Sequence, residues 1–431
     1  MRRPYPIGDF RCTRLASPTF GYVLSLVLIA CGLVSPLRAQ VRIKDYDEPI
    51  LTLDTAGHHS LVMAARFATL GERPVLLSAG LDKVVAVWDV DPAQDEPRLL
   101  HKIRPPIWRG QRGEIKAMAL SPPNDRGEQI LALAGYGLEQ SGGNIILYRF
   151  PGRNGEPAEL LGHLYGYSEG KNPVQVGHVN SVNCLTFSGA GRYLASGGVD
   201  KDPRVLLWDL SQFTSYDDFL ARNPGSKESA PVTRPMSVLT HQAGVTSVAF
   251  VGGGKLLTST NMDSSHLKGG GLYLWDLSNP QAPKPLPVDT YEPPPQDRKD
   301  SDVISVAVAP DYKSVVIGRE NGLLERHDLA NLSRFDYLIR EGNGPVEALA
   351  IGRREDGQML LATSIVNGSI ASYAEFPNLS CQIEVRPLDG YDRQKPALFA
   401  PPPTTNIVYA MAFERGARRL AYLGDDTQDL V

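Results

Sequence analysis

Short apolar runs alternate with turn residues along most of the chain. Val182 to Phe187, Val245 to Phe250 and Ile304 to Val308 are rich in β-branched residues, and each ends before a glycine or proline turn. No ten-residue helical period separates such runs, so the pattern predicts an all-β architecture. A small unit of this kind cannot bury both of its faces alone, so we expect neighbouring units to stack in a ring.

Three of these units are closely similar. Each has a β-rich run, a turn with an aspartate, and a second run that ends in Trp-Asp, and the three tryptophans are Trp88, Trp208 and Trp275. A histidine lies 30, 30 and 34 residues before these tryptophans. The three copies resemble the WD-repeat family, whose repeat runs from Gly-His to Trp-Asp, and the resemblance implies a β-propeller.

In that family a histidine, a strand serine or threonine, the turn aspartate and the tryptophan form a hydrogen-bonded set inside each blade. The resemblance implies three such sets here: His58, Ser78, Asp82 and Trp88; His178, Ser196, Asp200 and Trp208; His241, Ser259, Asp263 and Trp275. We interpret them as structural and not as catalytic triads, because the set recurs and the tryptophan N–H needs a buried partner.

Weaker copies fill the remaining chain, with Tyr148, His327 and Tyr373 in the place of the tryptophan. We predict a propeller over residues 40–431, with seven blades of which the last is incomplete, and a six-bladed ring as the alternative. The predicted blades cover approximately residues 54–100, 110–162, 177–239, 240–290, 301–341, 342–390 and 404–431.

The last copy predicts a chain that stops inside a blade. Asp426 falls on the place of the turn aspartate, so the expected tryptophan would come one position beyond Val431. Residues 49–53 are then positioned to supply a closing strand. In an alternative interpretation, this is the regulatory propeller of a larger enzyme, such as a caspase-like peptidase or a kinase fusion.

Residues 1–39 have the pattern of a secretory signal. Four arginines precede an apolar run from Tyr22 to Val34, which is shorter than a membrane span, and Ala39 precedes the expected cleavage site. Leu28 to Cys31 also resembles a lipobox, in which Cys31 would carry a lipid anchor. We therefore expect an exported protein in the periplasm, the cell envelope or the extracellular space.

Charge and cysteine content exclude several classes of partner and scaffold. Removal of residues 1–39, with five arginines and one aspartate, changes the net charge from −4 to −8. An acidic protein has no general attraction for nucleic acid. Only Cys184 and Cys381 would remain, too few for a disulfide framework.

No motif in the sequence indicates catalysis. A nucleophile elbow, a zinc-type His-Glu-x-x-His, a phosphate loop and paired cysteines are all absent from the sequence. We expect no catalytic residue, no metal and no cofactor, and we interpret the chain as a non-catalytic scaffold for protein partners.

Longer loops suggest where a partner binds. Insertions in three neighbouring predicted blades would lie on one sector of one face, and they supply the candidate contacts Tyr165, Tyr167, Lys171, His266 and Lys268. Three further insertions, at residues 211–234, 278–301 and 377–405, follow the Trp-Asp position, and we expect the second and third to be extended, proline-rich and mobile.

Overall fold

The structure is a computed structural model of the 431-residue chain. It describes residues 57–430, except for 72, 92, 94–96, 106–112, 138–144, 165–175, 214–233, 262–269, 292–301, 341–343, 368–379, 405–406 and 425–427. The chain divides into two compact units, Met1–Asp54 and Thr55–Val431, and all described residues belong to the second. The predicted signal, Cys31 and the closing strand at 49–53 lie outside the described residues.

The described residues form twenty-six strands in seven antiparallel sheets. The first three sheets consist of β1 (Val62–Leu70), β2 (Arg73–Gly80), β3 (Val85–Asp89) and β4 (Arg98–Ile103); β5 (Glu114–Leu120), β6 (Gln129–Tyr136), β7 (Ile145–Phe150) and β8 (Glu159–Leu164); and β9 (Val182–Phe187), β10 (Tyr193–Gly198), β11 (Arg204–Asp209) and β12 (Ser237–Thr240).

Two further sheets have four strands and two have three. They consist of β13 (Val245–Phe250), β14 (Lys255–Thr260), β15 (Leu272–Asp276) and β16 (Lys284–Tyr291); β17 (Val303–Val308), β18 (Ser314–Arg319), β19 (Leu324–Asp328) and β20 (Asn331–Ile339); β21 (Val346–Arg353), β22 (Met359–Asn367) and β23 (Ser380–Pro387); and β24 (Val408–Phe413), β25 (Leu420–Gly424) and β26 (Gln428–Leu430). Among the described residues, two 3-10 helices, Arg153–Gly155 and Leu210–Gln212, lie outside the sheets.

The sheets follow one another around a closed ring. Each first strand contacts the first strands of the preceding and following sheets, and β1 contacts β24 in the same way. The ring therefore surrounds a central axis lined by first strands, with the later strands of each sheet farther out. This is the arrangement of a β-propeller.

Apolar residues fill the spaces between adjacent sheets. One cluster joins Val62 and Trp88 of the first sheet to Ala410, Ala421 and Leu423 of the last sheet. Because each sheet is covered on both faces by its neighbours, the inner strands are buried almost throughout; Leu131, Leu133 and Ile146, for example, are completely buried. This packing explains why the inner strands have nearly continuous apolar sequences.

The structure corrects the prediction for two of the insertions. Residues 278–301 contain β16, which pairs with β15 and is therefore an ordered strand where it is described. Residues 377–405 contain β23, the third strand of the sixth sheet, whereas the sequence pattern put Tyr373 in the tryptophan place of that strand. The alternating buried residues Cys381, Ile383 and Val385 supply the apolar face of this strand, although prolines follow it closely.

Candidate functional site

The first sheet contains the four-residue set that the repeat implies. Nδ1 of His58 donates to the Asp82 carboxylate at 2.9 Å, and Nε2 lies 2.7 Å from the Ser78 hydroxyl. The indole N–H of Trp88 donates to the same hydroxyl at 2.8 Å. The set ties the turn before β1 to β2 and β3, so it fixes the fold of the sheet at one end.

The third sheet has an equivalent set with a different aspartate. His178 donates from Nδ1 to Asp202 at 3.0 Å, and its Nε2 lies 2.8 Å from Ser196, which accepts from Trp208 at 2.9 Å. The prediction of Asp200 was wrong. Asp202 precedes Trp208 by six residues, the same interval as Asp82 and Trp88, so this interval would have identified it.

Asp200 instead links two neighbouring sheets. Its Oδ1 accepts from the backbone N–H of Gly244, just before β13, at 2.6 Å, and from the side-chain amide of Asn261 at 3.4 Å. The side chain of Asp202 is 1% exposed. Two aspartates separated by one residue therefore have different roles, one inside a sheet and one between sheets.

The Asp202 carboxylate accepts hydrogen bonds from further donors besides His178. The Val179 backbone N–H donates to it at 2.7 Å, and Nε of Arg204 donates to its other oxygen. Burial alone raises the pKa of the Asp202 carboxyl, but the hydrogen bonds from His178 and Arg204 outweigh this effect and hold the pKa well below its ordinary value. Asp202 is therefore an ionised, fully partnered carboxylate.

The fourth sheet also departs from the prediction. Trp275 donates to the Thr258 hydroxyl at 3.0 Å, and Nε2 of His241 lies 3.2 Å from the same oxygen. The predicted Ser259 is wrong, because adjacent strand residues face opposite sides of a sheet and Ser259 bonds Thr246 instead. The predicted Asp263 lies outside the described residues.

These serine and histidine groups are unsuited to nucleophilic catalysis. Ser78 and Ser196 are completely buried, and each hydroxyl already bonds a histidine and a tryptophan. A substrate could not reach either oxygen without disrupting the sheet. The geometry therefore supports the structural interpretation of the sets.

The fifth sheet contains a buried charged network that the sequence analysis missed. Arg319 donates from Nε to Glu325 at 2.8 Å, and His327, in the register position of the tryptophan, donates from Nε2 to the same carboxylate at 3.0 Å. None of the three is more than 1% exposed. Burial raises the pKa of Glu325, but the hydrogen bond from His327 and the charge of Arg319 outweigh it and lower that pKa. Alternating Glu and His within a β-rich run was the available sequence signal.

A β-bulge recurs at the same place in all seven sheets that the structure describes. The register between first and second strands shifts by one residue there, which leaves one unpaired residue in each first strand. These residues, hereafter the bulge ring, are Met63, Lys116, Asn183, Thr246, Ile304, Glu347 and Tyr409.

The bulge ring is a candidate contact surface. All seven residues are partly exposed, whereas the residues immediately before them in the first strands are buried. Since a bulge re-aims a side chain and the first strands surround the axis, the seven positions form a circle at one end of the ring. Burial, and the nearby charge of Glu320, raise the pKa of Glu347 to about 7.

Arg66 lies in β1, three residues after the bulge residue Met63, and it differs from the residues at the same place in the other sheets. The equivalent residues of the other six sheets are small, namely Ala119, Thr186, Ala249, Ala307, Ala350 and Ala412. Arg66 is solvent accessible, yet desolvation lowers the pKa of its guanidinium. Arg66 forms no ion pair with any residue that the structure describes, and it donates to the Ala65 carbonyl at 2.7 Å.

The predicted partner contacts all lie outside the described residues; they are Tyr165, Tyr167, Lys171, His266 and Lys268. Within the described ranges, no group of three or more His, Cys, Asp or Glu side chains is arranged to hold a metal ion. The same part of the chain contains no helix that is long and apolar enough to cross a membrane.

Comparison with known proteins identifies the repeat. The family model "WD domain, G-beta repeat" matches residues 171–209, which include the His178, Ser196, Asp202 and Trp208 set. Among solved structures, the chain is similar to the crystal structure of the RRP9 WD40 repeats, with a TM-score of 0.53 and 15% sequence identity. The similarity covers 86% of this chain and 89% of that chain.

The closed ring of antiparallel sheets defines the protein as a β-propeller. Residues 171–209 match the WD-repeat model, and the histidine, hydroxyl and tryptophan sets of the first, third and fourth sheets are similar to the set that this repeat implies.

Proposed function

We propose that this chain is a non-catalytic scaffold, a seven-bladed WD-repeat propeller that binds a protein partner at the bulge ring. The observation that carries the proposal is Arg66, a desolvated arginine without an ion pair among the described residues, beneath a circle of re-aimed side chains. An exposed guanidinium that no described carboxylate neutralises offers charge-assisted hydrogen bonds to an anionic group that a partner supplies.

The bulge ring adds chemical variety to this surface. It includes a cation (Lys116), an acid (Glu347), an aromatic residue (Tyr409) and an amide (Asn183). Such a mixture suits recognition of one extended segment of a protein, because different side chains of the segment can meet different chemistry around the circle.

Site-specific photo-crosslinking tests the proposal. A benzoylphenylalanine residue at Tyr409, in the bulge ring, is compared with one at Tyr312, which is 51% exposed on the turn at the other end of the strands. In the native host we expect covalent adducts with another protein from position 409 and few from position 312. Equal adducts at both positions, or none at position 409, would refute the proposal.

A second set of variants tests the role of Arg66. We expect Arg66→Ala to reduce the adduct yield from position 409 strongly, Arg66→Lys to reduce it less, and the distant Arg126→Ala to leave it unchanged. Arg126 is exposed on the turn between β5 and β6 and is therefore a matched control. An unchanged yield for Arg66→Ala would exclude this arginine from the contact.

We further propose that the protein is exported through the signal in residues 1–39. Intact mass determination of the protein recovered from its host should give a mature chain that begins at Gln40. A diacylglycerol mass on Cys31, abolished by Cys31→Ser, would instead establish the lipid anchor, and retention of Met1 would refute export by this signal.

A further inference from the structure

A second concave surface lies at the opposite end of the strands from the bulge ring. Two neighbouring turns form it, residues 354–358 between β21 and β22 and residues 414–419 between β24 and β25. Two adjoining cavities of about 670 and 1080 Å³ share Arg354, Phe413 and Arg418 among their lining residues, so they form one continuous groove. We call it the arginine groove.

The floor of the arginine groove is apolar. Leu360, Val385, Phe399 and Leu420 line it, and Leu398 is 57% exposed beside them. The Val385 and Phe399 backbones are paired, which holds the segment after β23 against the sheet. The exposed leucine is therefore on an ordered backbone, and its exposure leaves apolar surface that a partner could cover.

The rim of the groove carries more cations than acids. Arg353, Arg354, Arg415, Arg418 and Arg419 line it, together with the three acids Glu355, Asp356 and Glu414. The whole chain has a net charge of −4, so the excess of positive charge at this part of the surface is opposite in sign to that of the chain as a whole.

Only some of these arginines form ion pairs with acids of the groove. Arg419 forms two bonds to Glu414, at 2.9 and 2.7 Å, and Arg418 donates to Glu355 at 2.5 Å across the two turns. Arg354 lies 3.9 Å from Asp356. Arg353 and Arg415 are exposed and have no ion pair with any described residue.

We propose that the arginine groove binds an extended segment of a partner protein in which aliphatic or aromatic side chains alternate with Asp or Glu. The apolar floor accommodates one side of such a segment, and Arg353 and Arg415 meet the carboxylates on the other. A nucleic acid fits less well, because Glu355 and Asp356 on the rim repel its phosphates. This surface is separate from the bulge ring, so a scaffold with both could hold two partner segments at once.

Fluorescence anisotropy with defined probes on the full chain tests this proposal. The first probe is a labelled twelve-residue peptide that alternates leucine or phenylalanine with glutamate. The comparison probes are the same peptide with lysine in place of glutamate, and a labelled single-stranded oligonucleotide. We expect only the acidic peptide to bind, with an affinity that falls as salt rises.

Variants locate the binding in the groove. We expect Arg353→Glu combined with Arg415→Glu to weaken binding of the acidic peptide at least about tenfold, and Leu398→Ser to weaken it as well. The matched control is Arg126→Glu, a charge reversal on an exposed arginine of another turn, which should leave binding unchanged. Since all of these side chains are exposed, thermal melting should confirm that each variant folds.

Three results would overturn the proposal: no binding of the acidic peptide up to about 1 mM, equal binding of the lysine peptide or the oligonucleotide, or unchanged affinity in the doubly reversed variant. None of these three results affects the crosslinks expected from position 409. The experiments therefore test the arginine groove and the bulge ring independently.

Discussion

Substitution of Asp202 by asparagine measures how much one buried set stabilises the propeller. The carboxylate accepts from His178 and Val179 at 3.0 and 2.7 Å, and from Arg204. Asparagine has the same shape but no charge and one acceptor oxygen fewer, and its amide group would face a donor. The substitution therefore leaves donors unsatisfied in a site that solvent hardly reaches.

The expected loss follows from these contacts. Removal of one partner from a buried charge pair costs about 3–5 kcal/mol, and a hydrogen bond to a charged group contributes about 1.5–3 kcal/mol. We expect the free energy of unfolding to fall by about 3–5 kcal/mol. That is a large part of the 5–15 kcal/mol that is typical of a folded domain.

Asp200→Asn is the matched control, two residues away. Asp200 is exposed, and the asparagine oxygen can still accept from the Gly244 N–H. We expect a loss below about 1 kcal/mol. Urea titrations monitored by tryptophan fluorescence, with equal slopes for both variants, compare the two losses.

The pH dependence of Asp202→Asn provides a second readout. Because the folded state lowers the pKa of Asp202, its stabilising contribution is complete above the ordinary carboxyl pKa of 3.8 and disappears as the pH falls below that value. The difference between wild type and Asp202→Asn should therefore shrink below about pH 4. A loss under about 1 kcal/mol for Asp202→Asn, or an equal loss for Asp200→Asn, would refute the assignment.

Three further predictions concern the buried sets and the bulge ring. Trp208→Ala should lower the free energy of unfolding by about 3–5 kcal/mol in a urea titration, because the indole is 1% exposed and donates to Ser196. A loss below about 1 kcal/mol would show that Trp208 is not in a core. Burial lowers the pKa of His241 from 6.5 to about 4, so the free energy of unfolding should fall by at most about 3 kcal/mol as the pH drops from 6.5 to 4. His241→Asn should lose this part of the pH dependence, and an unchanged pH profile of this variant would contradict the prediction. The folded state raises the pKa of Glu347 from 4.5 to about 7, so its carboxylate destabilises the protein as the pH rises through that range. Glu347→Gln should therefore raise the melting temperature at pH 8 but not at pH 4. Equal shifts of the melting temperature at the two pH values would exclude the Glu347 carboxylate as the cause.

Repetition in the sequence was sufficient to predict the fold class. The runs that end in Trp88, Trp208 and Trp275 have short apolar strands, turn residues and the histidine interval in a fixed order. Strand period and turn chemistry are local properties, so they can be recognised without knowledge of tertiary contacts.

The members of the sets were harder to predict where two candidates stand side by side. Asp200 and Asp202, or Thr258 and Ser259, differ by one or two positions, and a shift of one residue exchanges the two faces of a strand. The pairing of Leu256 with Trp275 fixes Thr258 as the residue on the same face as Leu256. The interval between turn and tryptophan would have selected Asp202. The spacing of two residues from the first leucine of the run, shared by Leu76 and Ser78, by Leu194 and Ser196, and by Leu256 and Thr258, would have selected Thr258.

By itself, the sequence determined the β-propeller class and the places of the tryptophan-bearing strands. Only the tertiary structure decided which side chains converge, because convergence depends on strand register and on contacts between distant sheets. The bulge ring exists because one register shift recurs in every first strand of the described sheets. The arginine groove exists because the sixth and seventh sheets pack side by side, which places the turn of residues 354–358 beside the turn of residues 414–419. The Arg418–Glu355 bond joins the two turns across 63 positions of the chain.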